Sequence, residues 1–215
     1  MNSHLLIDTS TRYLVFARLG KEGGEKILTP VSLDAGDTAI DSAVATLFPS
    51  LDALDAIWLG LGPGSFVGLR SSFAYVRMLS MLSQKPVYTF FSSRLWRAFF
   101  NVRESDWFLT RTNAKLFYAE RYASEREAKS LELSAATSLV GNKFFWMDSW
   151  LSQAKSVEEK TIIKEGKALY FADAQIKVSF LTQTLLQPQR VEEHTDLAPI
   201  YGHELNFTLA KPKLK

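Results

Sequence analysis

A chain of 215 residues, 47% hydrophobic and 22% charged, is globular in composition and long enough for one large domain or two small ones. Its net charge of +2 creates no field that by itself argues for nucleic acid or membrane, and its lack of cysteine excludes disulfides, thiolate zinc and iron–sulfur centres. No run reaches the ~18 apolar residues that span a bilayer, and Met1-Asn2-Ser3-His4 has no basic leader segment, so the chain reads as cytoplasmic.

Residues 5–7 and 13–19 predict two strands joined by Asp8-Thr9-Ser10-Thr11-Arg12. Both faces of the second are largely apolar, as in a covered central strand. Residues 26–33 predict a third strand, placed at an edge by Pro30. Asp37 can cap a helix over residues 38–48, with Ile40, Val44 and Phe48 along one face, and Pro49 stops it. Residues 54–61 predict a fourth strand. Gly62-Pro63-Gly64 then breaks the pattern, and Ser65 is a suitable N-cap for a helix over 66–82. After the turn at Gln84-Lys85-Pro86, residues 87–91 predict a fifth strand, and Ser92 or Ser93 starts a helix carrying Leu95, Trp96 and Phe99.

The helix 66–82 is apolar nearly all round. Phe66, Leu69, Phe73 and Val76 lie on one side, Val67, Ala74, Met78 and Met81 on another, and Tyr75, Leu79 and Leu82 behind. Arg70 and Arg77 form a stripe between the two sets. Such a helix packs on its own sheet with one side and needs a second neighbour for the other. The arginines fit either pairing with a partner's carboxylates or snorkelling over the chain's own core.

The second half is less patterned. Residues 106–109 and 115–122 predict a strand pair, and 143–147 a further strand. Asp148 or Ser149 can cap a short helix through Ala154. Residues 161–163 predict a brief strand, and 167–186 a helix ended by Gln187-Pro188. No internal repeat is visible. The first half runs βββαβαβα, which argues for a mixed sheet with helices on its faces. A soft boundary near residue 101 divides a first lobe, 1–101, from a second, 102–215.

Two stretches suit anions. Asp8, Thr9 and Ser10 sit between two strands, where a carboxylate and backbone N–H groups can meet phosphate and Mg²⁺. The alternative is a hairpin whose Asp and Ser bond their own backbone. Gly62, Gly64 and Ser65 stand at a helix N-terminus, which either holds a phosphate or is simply a tight turn. No Walker lysine follows, no helix carries a His-x-x-x-His pair, and no histidine is visibly paired with Ser65. Catalytic and metal-binding residues are therefore not expected.

Ile7-Asp8-Thr9-Ser10, Leu54-Asp55-Ala56-Ile57, Gly62-Pro63-Gly64-Ser65-Phe66-Val67-Gly68-Leu69-Arg70, Pro86-Val87 and Ser92-Ser93 together resemble the TsaB family, also called YeaZ. The likeness runs through residues 5–98 and is loose beyond residue 100. There Thr110–Phe117 stands where the family has Asp-Ala-Arg-x-Gly-Glu-Val-Tyr. The resemblance implies an α/β, actin-like fold of the Hsp70 and sugar-kinase type, with a mixed five-stranded sheet in the first lobe and a reduced second lobe. It implies a non-catalytic subunit that binds a TsaD-like catalytic subunit and a TsaE-like ATPase for threonylcarbamoylation of the adenosine beside the tRNA anticodon. The slightly basic pI of about 8.7 permits tRNA as a partner shared through such a complex. The implied partner surface is Ile40, Val44, Phe48, Val67, Arg70, Ala74, Arg77, Met78 and Met81. The same helices would serve a homodimer. Asp8, Thr9, Ser10, Gly62, Gly64 and Ser65 would be a vestigial nucleotide contact. No cofactor is expected to bind tightly, with ATP or ADP and Mg²⁺ at the complex interface as the exception. The alternatives are a free-standing actin-like small-molecule kinase, a peptidase, or a homodimeric scaffold.

Overall fold

Leu5, Leu6 and Ile7 are fully buried, so β1 (His4–Asp8) is covered on both faces and sits mid-sheet. The computed structural model describes residues 3–11, 13–20, 27–32, 38–64, 66–112, 115–147, 156–170, 183–192 and 197–201. β1 pairs antiparallel with β2 (Tyr13–Leu19), which pairs antiparallel with β3 (Ile27–Ser32). On its other side β1 pairs parallel with β4 (Ala56–Gly60), and β4 with β5 (Val87–Phe90). β3 is an edge strand, as Pro30 requires. The β2–β3 register shifts between Leu14 and Phe16, whose partners are Val31 and Leu28, so Pro30 lies opposite the irregularity. A sixth strand, β11 (Gln189–Arg190), adds antiparallel to β5, so the first sheet exceeds the five expected strands.

Helices α1 (Thr38–Leu47), α2 (Phe66–Ser83) and α3 (Ser92–Phe100) follow β3, β4 and β5. The second half repeats this plan. β6 (Trp107–Arg111), β7 (Leu116–Tyr122) and β8 (Arg126–Glu132) lead to α4 (Leu133–Thr137). β9 (Lys143–Trp146), α5 (Ser156–Glu165), β10 (Lys167–Leu169) and α6 (Gln183–Leu186) complete it. The second sheet has the order β10-β9-β6-β7-β8, which matches β5-β4-β1-β2-β3 strand for strand. The parallel and antiparallel pairings match as well. The chain is therefore a structural duplication, although its sequence shows no repeat. The second lobe keeps every element but shortens its helices: α4 has 5 residues against 10 in α1, and α5 has 10 against 18 in α2.

Three expectations for the second half are corrected. Residues 161–163 belong to α5, not to a strand. Ile162 is fully buried while Ile163 is 59% exposed, so one face of a helix, not a β-branched run, governs the stretch. Lys167–Leu169 is a strand, and only Gln183–Leu186 of the expected helix 167–186 is helical among the described residues. β8 was not expected at all. It is exposed almost throughout and so lacks apolar alternation. Its register on β7 is reinforced by the cross-strand pair Arg121–Glu127 at 2.7 Å. The expected caps Asp37 and Ser65, and the expected helix 148–154, lie outside the described residues.

Alternation along the strands builds three cores. Leu5, Ile7, Ile57 and Leu59 face α1 and α2. Leu6, Trp58 and Val15 face the other way, where α3 joins Phe108, Trp146 and Leu169 of the second sheet. Leu109, Phe117, Ala119 and Phe145 pack beneath α4 and α5 with Ala136 and Ile162. The middle core is shared by both lobes. Trp96 of α3 lies 4.0 Å from Trp146 of β9, centroid to centroid.

Candidate functional site

The turn between β4 and α2 is built by glycine geometry. Gly62 has φ +98°, a conformation open to glycine and strained for other residues. Its N–H donates to Ser92 Oγ at 2.9 Å, and its carbonyl accepts from Ser92 N–H at 2.9 Å. A Cβ on Gly62 would stand 2.3 Å from the carbonyl oxygen of Ile200. Gly64 lies against the first loop: a Cβ there would stand 1.8 Å from Ser10 O.

The Asp8-Thr9-Ser10 loop is thus closed by the glycine turn itself. Asp8, Thr9, Ser10 and Thr11 are all buried. Thr9 Oγ1 is 2.9 Å from Gly68 O and 2.7 Å from Ser72 Oγ, both on α2. Ser10 donates its N–H (3.0 Å) and its hydroxyl (2.6 Å) to Asp8 Oδ1. The structure brings Asp8, Thr9, Ser10, Gly62 and Gly64 together, but they face one another. Gly64 lies close against the Ser10 backbone, and the loop's side-chain donors are spent on Asp8 and α2. Ser65, the sixth of the set, lies outside the described residues.

Burial pushes the Asp8 carboxyl above its ordinary 3.8. The Ser10 hydroxyl, Ser92, the Ser10 N–H and Trp96 pull it back by smaller amounts. Asp8 Oδ2 has no well-aligned donor. A carboxyl raised in the fold holds its proton more tightly there than in the unfolded chain. Its contribution is therefore fully present below the unfolded value and is lost as pH rises through the folded one. In urea titrations from about pH 4 to about pH 7, Asp8→Asn should gain stability relative to the parent as pH rises. A difference that stays constant across that range would show that Asp8 ionises as freely in the fold as in the open chain.

The outer side of α2 is a different surface. Leu69, Phe73, Val76 and Leu79 are buried beneath it. Val67, Met78, Met81 and Leu82 are 68, 50, 70 and 71% exposed, and Arg70, Ala74 and Arg77 are exposed with them. Between α2 and α1 lies an open groove of about 500 Å³ lined by Phe66, Val67, Arg70, Ala74 and Met78 among others. Tyr75 OH donates to Asp41 Oδ1 at 3.3 Å and ties the two helices at its margin. Burial and the Asp41 charge push the Tyr75 hydroxyl up to about 12, so it keeps its proton and remains a donor.

One part of the expected partner surface is corrected. Ile40, Val44 and Phe48 are 5, 2 and 2% exposed and belong to the first core. α1 turns its apolar stripe inward because β1, β2 and β4 supply apolar side chains beneath it. Arg77 stays exposed on the outer side of α2 and also bonds within the chain, donating to Leu197 O at 2.7 Å. It holds the segment 197–201 alongside α2. Ile200 N–H donates to Leu61 O at 2.7 Å, and the Tyr201 ring lies 5.0 Å from Phe66.

Sequence reading missed a cleft of about 400 Å³ where the lobes meet, lined by Phe91, Arg94, Glu104, Tyr122 and Arg126 among others. Arg94 pairs with Glu104 at 2.9 Å and stacks on Tyr122 at 4.0 Å. Arg126 pairs with buried Glu120 at 2.5 Å and stacks on Phe91 at 3.8 Å. Each of these charges already has a partner, so the cleft reads as an interlobe joint. The residues are scattered over 36 positions, and only the duplicated topology assembles them. His4 is half-buried beside Trp58 at 5.4 Å, whereas His194 and His203 lie outside the described residues. Among the described residues, no group of three or more His, Asp or Glu side chains converges, and no helix is long and apolar enough to cross a membrane.

Comparison with known proteins follows the same lines. Residues 35–92, which hold α1, β4, α2 and β5, match the family described as TsaD, tRNA N6-adenosine threonylcarbamoyltransferase. No curated protein sequence matches the chain. Among solved structures, a Pseudomonas aeruginosa protein described as similar to peptidase YeaZ superposes with a TM-score of 0.67 at 19% identity. The superposition covers 94% of this chain and 100% of that one. YeaZ from Pseudomonas aeruginosa superposes with a TM-score of 0.62, again at 19% identity with 94% and 100% coverage. The chain therefore has the duplicated α/β fold of YeaZ, with a first lobe similar in sequence to the TsaD family.

Proposed function

We propose that this chain is a TsaB-like accessory subunit that docks a TsaD-like threonylcarbamoyltransferase through the outer side of α2. It serves tRNA modification as part of a complex with that subunit and a TsaE-like ATPase. The carrying observation is the row Val67, Ala74, Met78 and Met81, exposed on a helix whose opposite side is fully packed. A contiguous exposed apolar surface marks a binding site, and methionines adapt to a partner's contours. Arg70, stacked on Phe66 at 5.2 Å, supplies a charged anchor at its edge. Chemistry belongs to the partner in this reading, because the closed first loop offers substrate no group to work with.

The test is capture of the same organism's TsaD-like protein on an immobilised chain. Ala74→Arg with Met78→Asp should weaken capture by more than about 100-fold, since both changes place charge in the contact. Stability of the double variant should stay within about 0.5 kcal/mol of the parent, because both positions are exposed. Undiminished capture would remove α2 from the interface. Threonylcarbamoyl transfer by the purified chain alone would overturn the accessory role.

A further inference from the structure

We propose that the interlobe cleft binds a small zwitterion of amino-acid type, its carboxylate on Arg94 and its ammonium group on Glu125. The cleft holds about 400 Å³, within the range of small-molecule sites. Two guanidinium groups reach it from opposite lobes. Arg94 of α3 lies on the Tyr122 ring at 4.0 Å, and Arg126 of β8 lies on the Phe91 ring at 3.8 Å. Each lobe's arginine thus rests flat on an aromatic platform of the other.

The two ion pairs of the joint are unequal. Glu120, the partner of Arg126, is fully buried and also accepts from Tyr122 OH at 2.7 Å, so it stays in place. Glu104, the partner of Arg94, has a side chain 55% exposed, whereas that of Arg94 is 10% exposed. The arginine is fixed and its carboxylate is not. Tyr122 beneath it is pinned by its N–H on Glu104 O at 2.7 Å and by its hydroxyl on Glu120. Arg94 is therefore a preformed carboxylate-binding fork, occupied for now by a side chain of the same protein. A ligand carboxylate exchanges with that side chain at little cost. The displaced Glu104 passes into water, and no charge is left buried and unpaired. The rest of the lining suits the other end of the ligand. Glu125, in the exposed turn between β7 and β8, brings a second carboxylate, and Thr89, Gln187 and Gln189 bring hydroxyl and amide groups. A lining with both signs of charge selects a molecule that carries both, over a simple anion.

The test titrates the full-length, isotope-labelled chain by amide NMR with L-alanine, L-glutamine and glycylglycine, and with acetate and methylamine as single-charge controls. At least one zwitterion should give saturable shifts at Ala123, Ser124 and Glu125 with a Kd of about 1 mM or tighter, and both controls should bind at least about tenfold more weakly. Arg94→Lys keeps the charge but loses the fork, and should weaken binding at least about tenfold. Glu104→Gln should tighten binding about threefold, because the competing carboxylate is gone, an effect that a purely structural Glu104 would not produce. The remainder of each spectrum checks that the variants fold; Glu104 is exposed, so its variant decides the matter even if Arg94→Lys does not fold. Absence of saturable shifts up to about 20 mM, or acetate binding as tightly as the zwitterions, would overturn the inference. So would unchanged affinity in folded Arg94→Lys, or unchanged or weaker affinity in Glu104→Gln.

Discussion

Gly64→Ala should cost about 3 kcal/mol or more of stability, the upper range for a forced overpacking. The added methyl would stand 1.8 Å from Ser10 O and 2.7 Å from Ser10 Cα, and both are backbone. No rotamer change relieves such a contact. Either the Asp8–Thr11 loop or the start of α2 must move. Both are pinned, the first by Ser10 on Asp8 and the second by Thr9 against Gly68 and Ser72. Equilibrium urea unfolding measures the loss, with the midpoint moving and the slope unchanged for a pure stability effect. A loss below about 1 kcal/mol would mean that the loop and the turn can shift apart by the width of a methyl group.

The second large effect is at Arg97. This residue of α3 is 3% exposed, and its guanidinium donates to Arg103 O at 2.7 Å, to Asp106 O at 2.9 Å and to Glu120 O. All three acceptors lie at or beyond the start of the second lobe. The planar fork donates to three carbonyls at once, one of which, Arg103 O, also accepts from Asp106 N–H at 3.2 Å. Burial pulls the guanidinium below its ordinary value, opposed chiefly by Glu120, and it stays charged at neutral pH. Arg97→Leu should cost about 4 kcal/mol, because three carbonyls each lose a charged donor at once. Arg97→Lys should recover less than half, since one ammonium cannot span three diverging carbonyls. Amide exchange should rise first in β6 and β7, whose neighbours Arg97 holds. A loss near 1 kcal/mol with unchanged exchange would mean that the aromatic contact of Trp96 with Trp146 joins the lobes unaided.

The local code decided the first lobe. Apolar runs of about three to eight residues separated by Gly, Pro and Asp fixed β1, β2, β4 and β5, because a short covered strand needs no tertiary information beyond burial on both faces. Pro30 was enough to put β3 at an edge, since it cannot donate to a further strand. The periodicity of 66–82 showed that α2 has two apolar sides, although Phe66, grouped with the packed side, lines the outer groove, and Leu82 is exposed.

Tertiary structure decided the rest. Whether Ile40, Val44 and Phe48 face a partner or the core depends on what lies beneath α1, and the strands that cover them come from elsewhere in the chain. How closely Gly64 stands against the Ser10 backbone is a gap narrower than a methyl group, which no residue type encodes. The duplication was illegible for a different reason. A sheet order is a pattern of backbone pairing, and the exposed, charged β8 completes it through hydrogen bonds and the Arg121–Glu127 pair instead of apolar burial. Residue types record which surfaces must leave water; the pairing of strands and the closeness of backbones are settled only when the chain has folded.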